Sequence, residues 1–252
     1  MRPIQNYIKV NSLEEAYELN QNRNSMIIAG MMWVRMSKGN IKNAIDLCDL
    51  GLNKIEESED SYIIGAMTTL RDIETNVTLN SCFNDTFEKA LKDIVGVQFR
   101  NMATVGGSIW GRFGFSDVLT LFLALDSYVE LYKGGIVPLK DFVKMPKDRD
   151  IIVNIIVKKT ITDVSYMAVR NQSTDLPILT CAVAKDDNML RASIGARPGK
   201  AVLIESAITN NDFVDYVVKN VPTSGNMRGT AAYRKHLISV LVSRCLDELG
   251  GI

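Results

Sequence analysis

The first clear pattern of apolar and polar positions in the chain lies at residues 12–20. Ser12 and Glu15 have the spacing of a helix capping box, and apolar residues recur at helical spacing over residues 13–19. This pattern predicts a helix with one buried stripe. A short apolar run at residues 26–30 ends on glycine, which predicts a buried strand.

Similar patterns along the rest of the chain predict a mixed α+β fold of two units. Further strands are expected at residues 61–67, 128–132, 151–157, 165–169, 180–184 and 190–194. Further helices are expected at residues 69–76, 85–95, 117–124, 201–208, 212–220 and 230–250. A short element is expected at 44–49, a hairpin turn at Gly134 and Gly135, and loops at 138–142 and 146–150. The strand expected to begin at residue 151 marks a candidate boundary between the two units.

Composition and charge exclude several classes of protein. The 252 residues are 46% hydrophobic and 23% charged, which is typical of a globular chain. Because 29 Lys and Arg residues balance 29 Asp and Glu residues, a nucleic-acid or acidic-membrane partner is disfavoured. The apolar runs are too short to span a membrane, and the first residues have no hydrophobic signal core. We therefore expect a cytoplasmic protein.

The cysteines and the single histidine limit the chemistry of the chain. Its four cysteines are scattered without any C-x-x-C pair, which is typical of reduced cytosolic thiols and unlike a zinc or iron–sulfur site. His236 is the only histidine, so a metal site with several histidines cannot form. We expect no metal in this chain. Any redox chemistry must then depend on an organic cofactor.

The segment at residues 98–108 is the most informative part of the sequence. It contains Thr104, Gly106, Gly107 and Ser108 within five positions. Paired glycines lack two Cβ atoms, so backbone N–H groups can approach a bulky anion such as a diphosphate. Two glycines alone are more often a simple turn between two elements.

Together with other segments, this stretch resembles a known family. Residues 98–108, followed by Asp117 and the run 123–126, resemble the signature of the FAD-binding subunit of molybdenum hydroxylases, the xanthine dehydrogenase and carbon monoxide dehydrogenase family. Residues 64–74, 192–198 and 228–241 resemble three more of its motifs. The matches occur in the family's order and span nearly the whole chain.

The resemblance implies a specific architecture. Residues 1–158 are expected to form a two-lobed FAD-binding domain of the PCMH (vanillyl-alcohol oxidase-like) type, with the lobes split near residue 58. Residues 159–252 are expected to form a small α+β domain like the C-terminal domain of the carbon monoxide dehydrogenase flavoprotein.

The resemblance also implies a site for non-covalently bound FAD, formed by two glycine loops and nearby positions. The expected cofactor-binding residues are Ile28, Ala29, Gly30, Met31, Met32, Trp33, Ala103, Thr104, Gly106, Gly107, Ser108, Asp117 and Ile151. Asp117 falls on a family acid near polar groups of the flavin half. It can also cap the helix at 118–124 together with Ser116.

The first of these loops departs from the family pattern. Met31 stands where the family has a second glycine, and Trp33 where a small or polar residue is common. The Cβ of Met31 would keep the backbone from a phosphate or force an unfavourable conformation, unless Met31 fills core volume. Met167 falls where the family often has a lysine near the flavin.

In family terms, the chain is an FAD-binding electron-transfer subunit. Its expected partners are a molybdopterin-binding large subunit and a 2Fe–2S subunit, and its electron acceptor is NAD or another compound. No catalytic residue is expected in this chain, since His236, Arg100 and Asn101 fit structural roles better. The alternative is a subunit that keeps the fold for assembly and has lost the flavin.

Overall fold

The computed structural model describes residues 2–186, 189–207 and 210–250. This part of the chain forms three β-sheets that follow one another along the sequence, with helices packed against them. The predicted mixture of helices and sheets is confirmed.

The N-terminal lobe contains a parallel sheet in the order β1-β3-β2. Its strands are β1 (Ile4–Lys9), β2 (Ser25–Ile28) and β3 (Ile41–Asp46), and helix α1 (Leu13–Asn20) connects β1 to β2. The Ser12 side chain accepts a hydrogen bond from the Glu15 N–H at 3.1 Å, so the predicted helix start is confirmed. The sequence analysis did not predict β1, because five of its six residues are exposed and they form no apolar run.

The middle of the chain forms an antiparallel sheet in the order β4-β5-β8-β6-β7. Its strands are β4 (Ile55–Glu57), β5 (Ser61–Gly65), β6 (Ser127–Leu131), β7 (Gly135–Pro138) and β8 (Ile152–Lys158). Its helices are α2 (Leu70–Glu74), α3 (Val77–Cys82), α4 (Thr86–Leu91), α5 (Val97–Arg100), α6 (Val105–Gly111), α7 (Asp117–Ala124) and α8 (Leu139–Phe142). Helix α8 corrects the expected loop at residues 138–142. It is a single turn that begins directly after Pro138, which is itself typical of a loop.

The C-terminal part is an antiparallel sheet in the order β12-β11-β10-β9 with two helices. These elements are β9 (Asp163–Val169), β10 (Leu179–Lys185), β11 (Leu190–Gly195), β12 (Val202–Ser206), α9 (Asn210–Asn220) and α10 (Ala231–Glu248). The helix predicted at 201–208 is wrong over the described residues, where β12 pairs with β11; residue 208 lies outside them. A short apolar run does not distinguish a strand from a helix, and here the pairing decides.

Helix α7 connects the second sheet to the third. All eight of its residues are buried, and the helix packs against α4, α6, β10 and β11. One hydrophobic core therefore continues from the five-stranded sheet to the C-terminal sheet. A helix buried on every side needs a nearly uniform apolar sequence, which explains the run at residues 118–125.

Two arginines of the family-like segments have structural roles. Arg100 donates from Nε to Glu74 Oε2 at 2.6 Å and joins α5 to α2, so its predicted ordering role is confirmed. Arg234 is fully buried and donates to the carbonyl oxygens of Ile178 and Ser224. Such charge-assisted hydrogen bonds hold the surrounding loops in place.

Candidate functional site

A cavity of about 670 Å³ lies where the N-terminal lobe (the first lobe), the five-stranded sheet with its helices (the second lobe) and the C-terminal part meet. Every residue that the sequence analysis expected at the cofactor lies in its wall. These residues are Ile28, Ala29, Gly30, Met31, Met32, Trp33, Ala103, Thr104, Gly106, Gly107, Ser108, Asp117 and Ile151. The fold thus brings together segments that are distant in the sequence.

The first loop of the cavity wall follows strand β2. Gly30 is required by a close approach to the second loop, because a Cβ there would lie 1.6 Å from the Met102 carbonyl oxygen. Met31 has a φ of +56°, a left-handed conformation that glycine adopts freely and that costs other residues about 1–2 kcal/mol. Its partly buried side chain also packs against the small apolar cluster of Ile28, Ile41 and Ala44. Met31 therefore has both a strained backbone conformation and a side chain that fills core volume, two effects that the sequence analysis gave as alternatives.

Residues 30–33 present a run of available hydrogen-bond donors. Within the part of the chain that the structure describes, their backbone N–H groups donate to no protein acceptor. A series of successive N–H groups around a left-handed residue is a typical anion-binding arrangement. This loop is the strongest candidate for holding a diphosphate.

The second loop differs from the predicted cradle, because Gly106 and Gly107 lie in the first turn of α6. Thr104 caps this helix. The Gly106 N–H donates to the Ala66 carbonyl oxygen at 2.9 Å, and the Gly107 N–H donates to Thr104 Oγ1 at 3.2 Å. The expected role of these two amides as phosphate donors is therefore corrected: both already have protein acceptors. The Ser108 hydroxyl is likewise engaged, with the Thr104 carbonyl oxygen at 2.8 Å.

The two glycines of α6 nevertheless differ in what surrounds them. A Cβ on Gly106 would lie 2.6 Å from the Ala66 carbonyl oxygen, so packing against the chain after β5 requires glycine. A Cβ on Gly107 would meet only Thr104 Oγ1 within 4 Å, at 3.1 Å. Among the described residues outside the backbone of α6 itself, no other atom lies within 4 Å of this position, so Gly107 leaves the cavity open beside the start of α6.

Asp117 lies at the cavity wall within a buried ion pair. Ser116 caps α7 by accepting a hydrogen bond from the Leu119 N–H at 3.0 Å. The Asp117 carboxylate accepts hydrogen bonds from the Tyr166 hydroxyl and the Arg170 guanidinium on the C-terminal part. Burial raises the pKa of Asp117, while the Arg170 charge and the Tyr166 hydroxyl oppose that rise. The capping role thus belongs to Ser116, and a contact between Asp117 and the cofactor stays a prediction.

An aromatic wall that the sequence analysis did not predict also faces this cavity. It consists of Trp33, Phe99, Phe113 and Phe115. The Trp33 ring centroid is 4.8 Å from that of Phe115 and about 6 Å from those of Phe99 and Phe113. The only signal in the sequence is the close spacing of Phe113 and Phe115, whose rings stack with centroids 5.3 Å apart.

Two basic residues of the loop before β8 were also missed. Arg149 donates to the carbonyl oxygens of Asn20, Asn22 and Arg23, so it holds the first lobe against this loop. Lys147 donates to the Gly111 carbonyl oxygen at 3.0 Å and lines the cavity. Partial burial lowers the pKa of Lys147, and repulsion from two nearby cations, Arg112 and Lys200, lowers it further.

Met167 and His236 lie outside the lining of this cavity. Met167 is on β9 and packs into the core between the C-terminal sheet and α10, so a lysine there would not reach the cavity in this fold. His236 is exposed on α10, and the expectation that it has no catalytic role stays a prediction. Within the described ranges, no helix is long and apolar enough to cross a membrane, and no group of three metal-ligating side chains is found.

The geometry can be compared with known proteins. The family described as FAD binding domain in molybdopterin dehydrogenase matches residues 2–174. The uncharacterized protein YgfM of Escherichia coli (strain K12) is 24% identical over 249 residues, which cover 95% of this chain and 94% of YgfM. The glyceraldehyde dehydrogenase medium chain of Sulfolobus acidocaldarius is 24% identical over 278 residues, covering 98% of this chain and 99% of that protein.

A solved structure shares the fold over nearly the whole chain. It is carbon monoxide dehydrogenase from Hydrogenophaga pseudoflava in a form lacking the Mo-pyranopterin moiety of its molybdenum cofactor. The TM-score is 0.84 at 22% sequence identity, and the match covers 98% of this chain and 97% of the other. Since the family match spans well over half of the sequence, this chain belongs to the family of FAD-binding domains of molybdopterin dehydrogenases.

Proposed function

We propose that this chain binds FAD non-covalently and is the electron-transfer subunit of a molybdopterin-dependent hydroxylase or dehydrogenase complex. The observation that carries the proposal is one cavity that combines free N–H groups at residues 30–33 with the open space at Gly107. Several N–H donors and a wall position without a side chain, in one cavity, suit the diphosphate of a dinucleotide. Family membership supports FAD as that dinucleotide.

Residues of this chain bind and orient the cofactor. The N–H groups of residues 30–33 donate to the diphosphate, and Gly107 lets it approach α6. Lys147 adds positive charge to the cavity, and the aromatic wall excludes water from the ring system. When bound, the flavin supplies the redox chemistry, which the side chains lining this cavity do not.

The complex divides the reaction among several chains. Substrate is oxidised at a molybdopterin-binding large subunit, a 2Fe–2S subunit carries the electrons, and this chain passes them to NAD or another acceptor. The name medium chain, given to the Sulfolobus acidocaldarius relative, supports a multi-subunit assembly. The four free cysteines of this chain support the expected cytoplasmic location.

A second candidate function is an assembly subunit without flavin. Met31 favours it, since a strained residue occupies the loop that would contact the diphosphate. The unfilled space at Gly107 argues against it, because glycine has no packing role there.

An absorbance spectrum of the purified protein, followed by titration of the apoprotein with FAD, separates the two functions. We expect bound-flavin bands and saturable binding of one FAD per chain. A folded protein that shows no flavin bands and does not bind added FAD would contradict the FAD proposal and favour the assembly subunit.

A further inference from the structure

The C-terminal sheet has an open edge that lies between two layers of helices. Strand β9 forms this edge. Helix α4 packs against β9 on one side of the sheet and α10 packs on the other. Between these helices lies a cavity of about 400 Å³ that residues 166–170 line. This slot has the position that a fifth strand would occupy.

The outer edge of β9 has backbone groups available for pairing. The Val169 carbonyl oxygen accepts from the Ile178 N–H on the β10 side, whereas the Val164 carbonyl oxygen accepts from the Thr86 hydroxyl on the outer side. Backbone groups alternate in direction along a strand, so those of Tyr166 and Ala168 point outward with Val164. Within the described residues, no protein group pairs with them on that side. Two residues thus offer two donors and two acceptors to the slot.

The rim of the slot is positively charged. Lys89 and Lys92 lie on the α4 side and Arg244 on the α10 side, and none of the three forms an ion pair among the described residues. Asp93 is the acidic residue of the lining. Positive charge thus exceeds negative charge on both sides of the β9 edge. This charge is complementary to a polypeptide segment rich in Asp or Glu.

We propose that an acidic, extended segment of a partner protein binds in this slot as an added strand beside β9. Backbone hydrogen bonds to Tyr166 and Ala168 would fix the segment, and its carboxylates would meet Lys89, Lys92 and Arg244. A second copy of this chain is disfavoured, because pairing two β9 edges would bring the same cations of both copies together. This interaction is independent of FAD binding.

A seven-residue fluorescent peptide of valine and glutamate residues, acetylated and amidated at its ends, tests the proposal with the full-length chain. We expect saturable anisotropy changes with this peptide and none with a peptide in which lysine replaces each glutamate. The triple variant Lys89→Gln, Lys92→Gln, Arg244→Gln should weaken binding at least tenfold. A matched variant with three exposed lysines changed elsewhere, Lys42→Gln, Lys219→Gln and Lys235→Gln, should bind like the wild type.

Hydrogen exchange distinguishes strand addition from simple charge attraction. Bound peptide should slow exchange of the outward amides of Tyr166 and Ala168. No binding at about 1 mM peptide, equal binding of the lysine peptide, or binding without this protection would each overturn the proposal. The proposal would also be overturned if the triple variant self-associated and still bound the peptide with wild-type affinity. In that case Lys89, Lys92 and Arg244 would serve only to keep the β9 edges of two copies apart.

Discussion

Gly106 and Gly107 are adjacent, yet each is glycine for a different physical reason. A side chain at Gly106 would collide with the backbone at Ala66, whereas one at Gly107 would extend into the cavity with only Thr104 nearby. The first glycine therefore belongs to packing between α6 and the chain that follows β5. The second has no such packing contact and fits the proposed FAD site, so substitutions at the two positions should separate stability from binding.

We predict that Gly107→Val lowers FAD affinity at least tenfold, about 1.4 kcal/mol, because its side chain occupies the space beside the diphosphate. Because the added Cβ lies 3.1 Å from the Thr104 Oγ1 that caps α6, its free energy of unfolding should fall by no more than about 1 kcal/mol, which is what a helix cap contributes. Gly106→Ala is the contrasting variant, and overpacking against Ala66 should destabilise it by about 1–3 kcal/mol. Flavin fluorescence titration and urea unfolding measure the two effects. A folded Gly107→Val protein with wild-type affinity would contradict the proposed FAD site.

Met31 provides a second test at the scale of one residue. Because its φ is +56°, Met31→Gly should be more stable than Met31→Ala by about 1 kcal/mol, the reverse of the usual order of glycine and alanine. Both variants lose the same packing beyond Cβ, so their comparison isolates the backbone. Chemical denaturation of the two apoproteins measures the difference. A more stable alanine variant would show that the loop relaxes away from the left-handed conformation.

Met31→Gly should also change the binding of FAD. A glycine lets the N–H groups of residues 30–33 adjust to the phosphate without strain, so we expect affinity to rise up to about tenfold. Isothermal titration with FAD measures the change, with Met31→Ala as the control. Weaker binding in both variants would mean that the methionine side chain itself contacts the cofactor, whereas weaker binding in Met31→Gly alone would contradict the strain argument.

At the scale of elements, one buried ion pair joins α7 to β9 beside the cavity. Asp117 and Arg170 have side chains that are 6% and 8% exposed. Removing one partner from such a pair leaves an uncompensated buried charge, whereas removing both does not. The link between the second lobe and the C-terminal sheet therefore depends on the pair as a unit.

We predict that Arg170→Met destabilises the fold by about 3–5 kcal/mol and that adding Asp117→Asn recovers much of this loss. Urea unfolding of the single and double variants gives the coupling energy. With Arg170 removed, burial holds the pKa of Asp117 above its unfolded value, so the folded state binds a proton more readily. The loss should therefore be smaller at about pH 4 than at about pH 8. Additive effects that do not change with pH would refute this coupling.

The elements that could be predicted from the sequence are those whose buried residues either fill the whole element or recur at its helical or strand period. Helices α1 and α7 and strands β10 and β11 combine strong apolar patterns with local caps or uniform burial, so periodicity identifies them. Strand β1 is exposed and owes its conformation to pairing with β3. Two glycines have low helix propensity, so α6 was expected to be a loop; the Thr104 cap and the contact with Ala66 outweigh that propensity.

The residues that line the candidate site could be predicted from the sequence, but their arrangement in space could not. The family resemblance identified both loops, and the structure places them in one cavity wall. The free N–H groups at residues 30–33 depend on the left-handed Met31, which no apolar pattern reveals. The aromatic wall depends on tertiary contacts of Trp33 with rings far along the chain.

At the scale of the whole molecule, the cavity lining determines how a flavin could be attached. The described lining contains no histidine, cysteine or tyrosine. We therefore predict that acid precipitation of the flavin-loaded protein releases all of the yellow colour into the supernatant. As a control, the precipitate is digested with trypsin and its peptides are tested for flavin fluorescence. Flavin retained on any peptide would contradict a non-covalent site.

The burial of α7 also determines where this chain can be divided. The family match ends at residue 174, after β9 but before β10 and β11, against which α7 packs. A fragment that ends there would expose the apolar side of α7 and leave β9 unpaired, so it should aggregate. The five-stranded sheet and the C-terminal part should instead unfold in one cooperative transition, because their continuous core gives neither of them an independent stability. The limit of the family match at residue 174 is therefore not the limit of a folding unit. The unit that folds cooperatively continues past it to include β10 and β11.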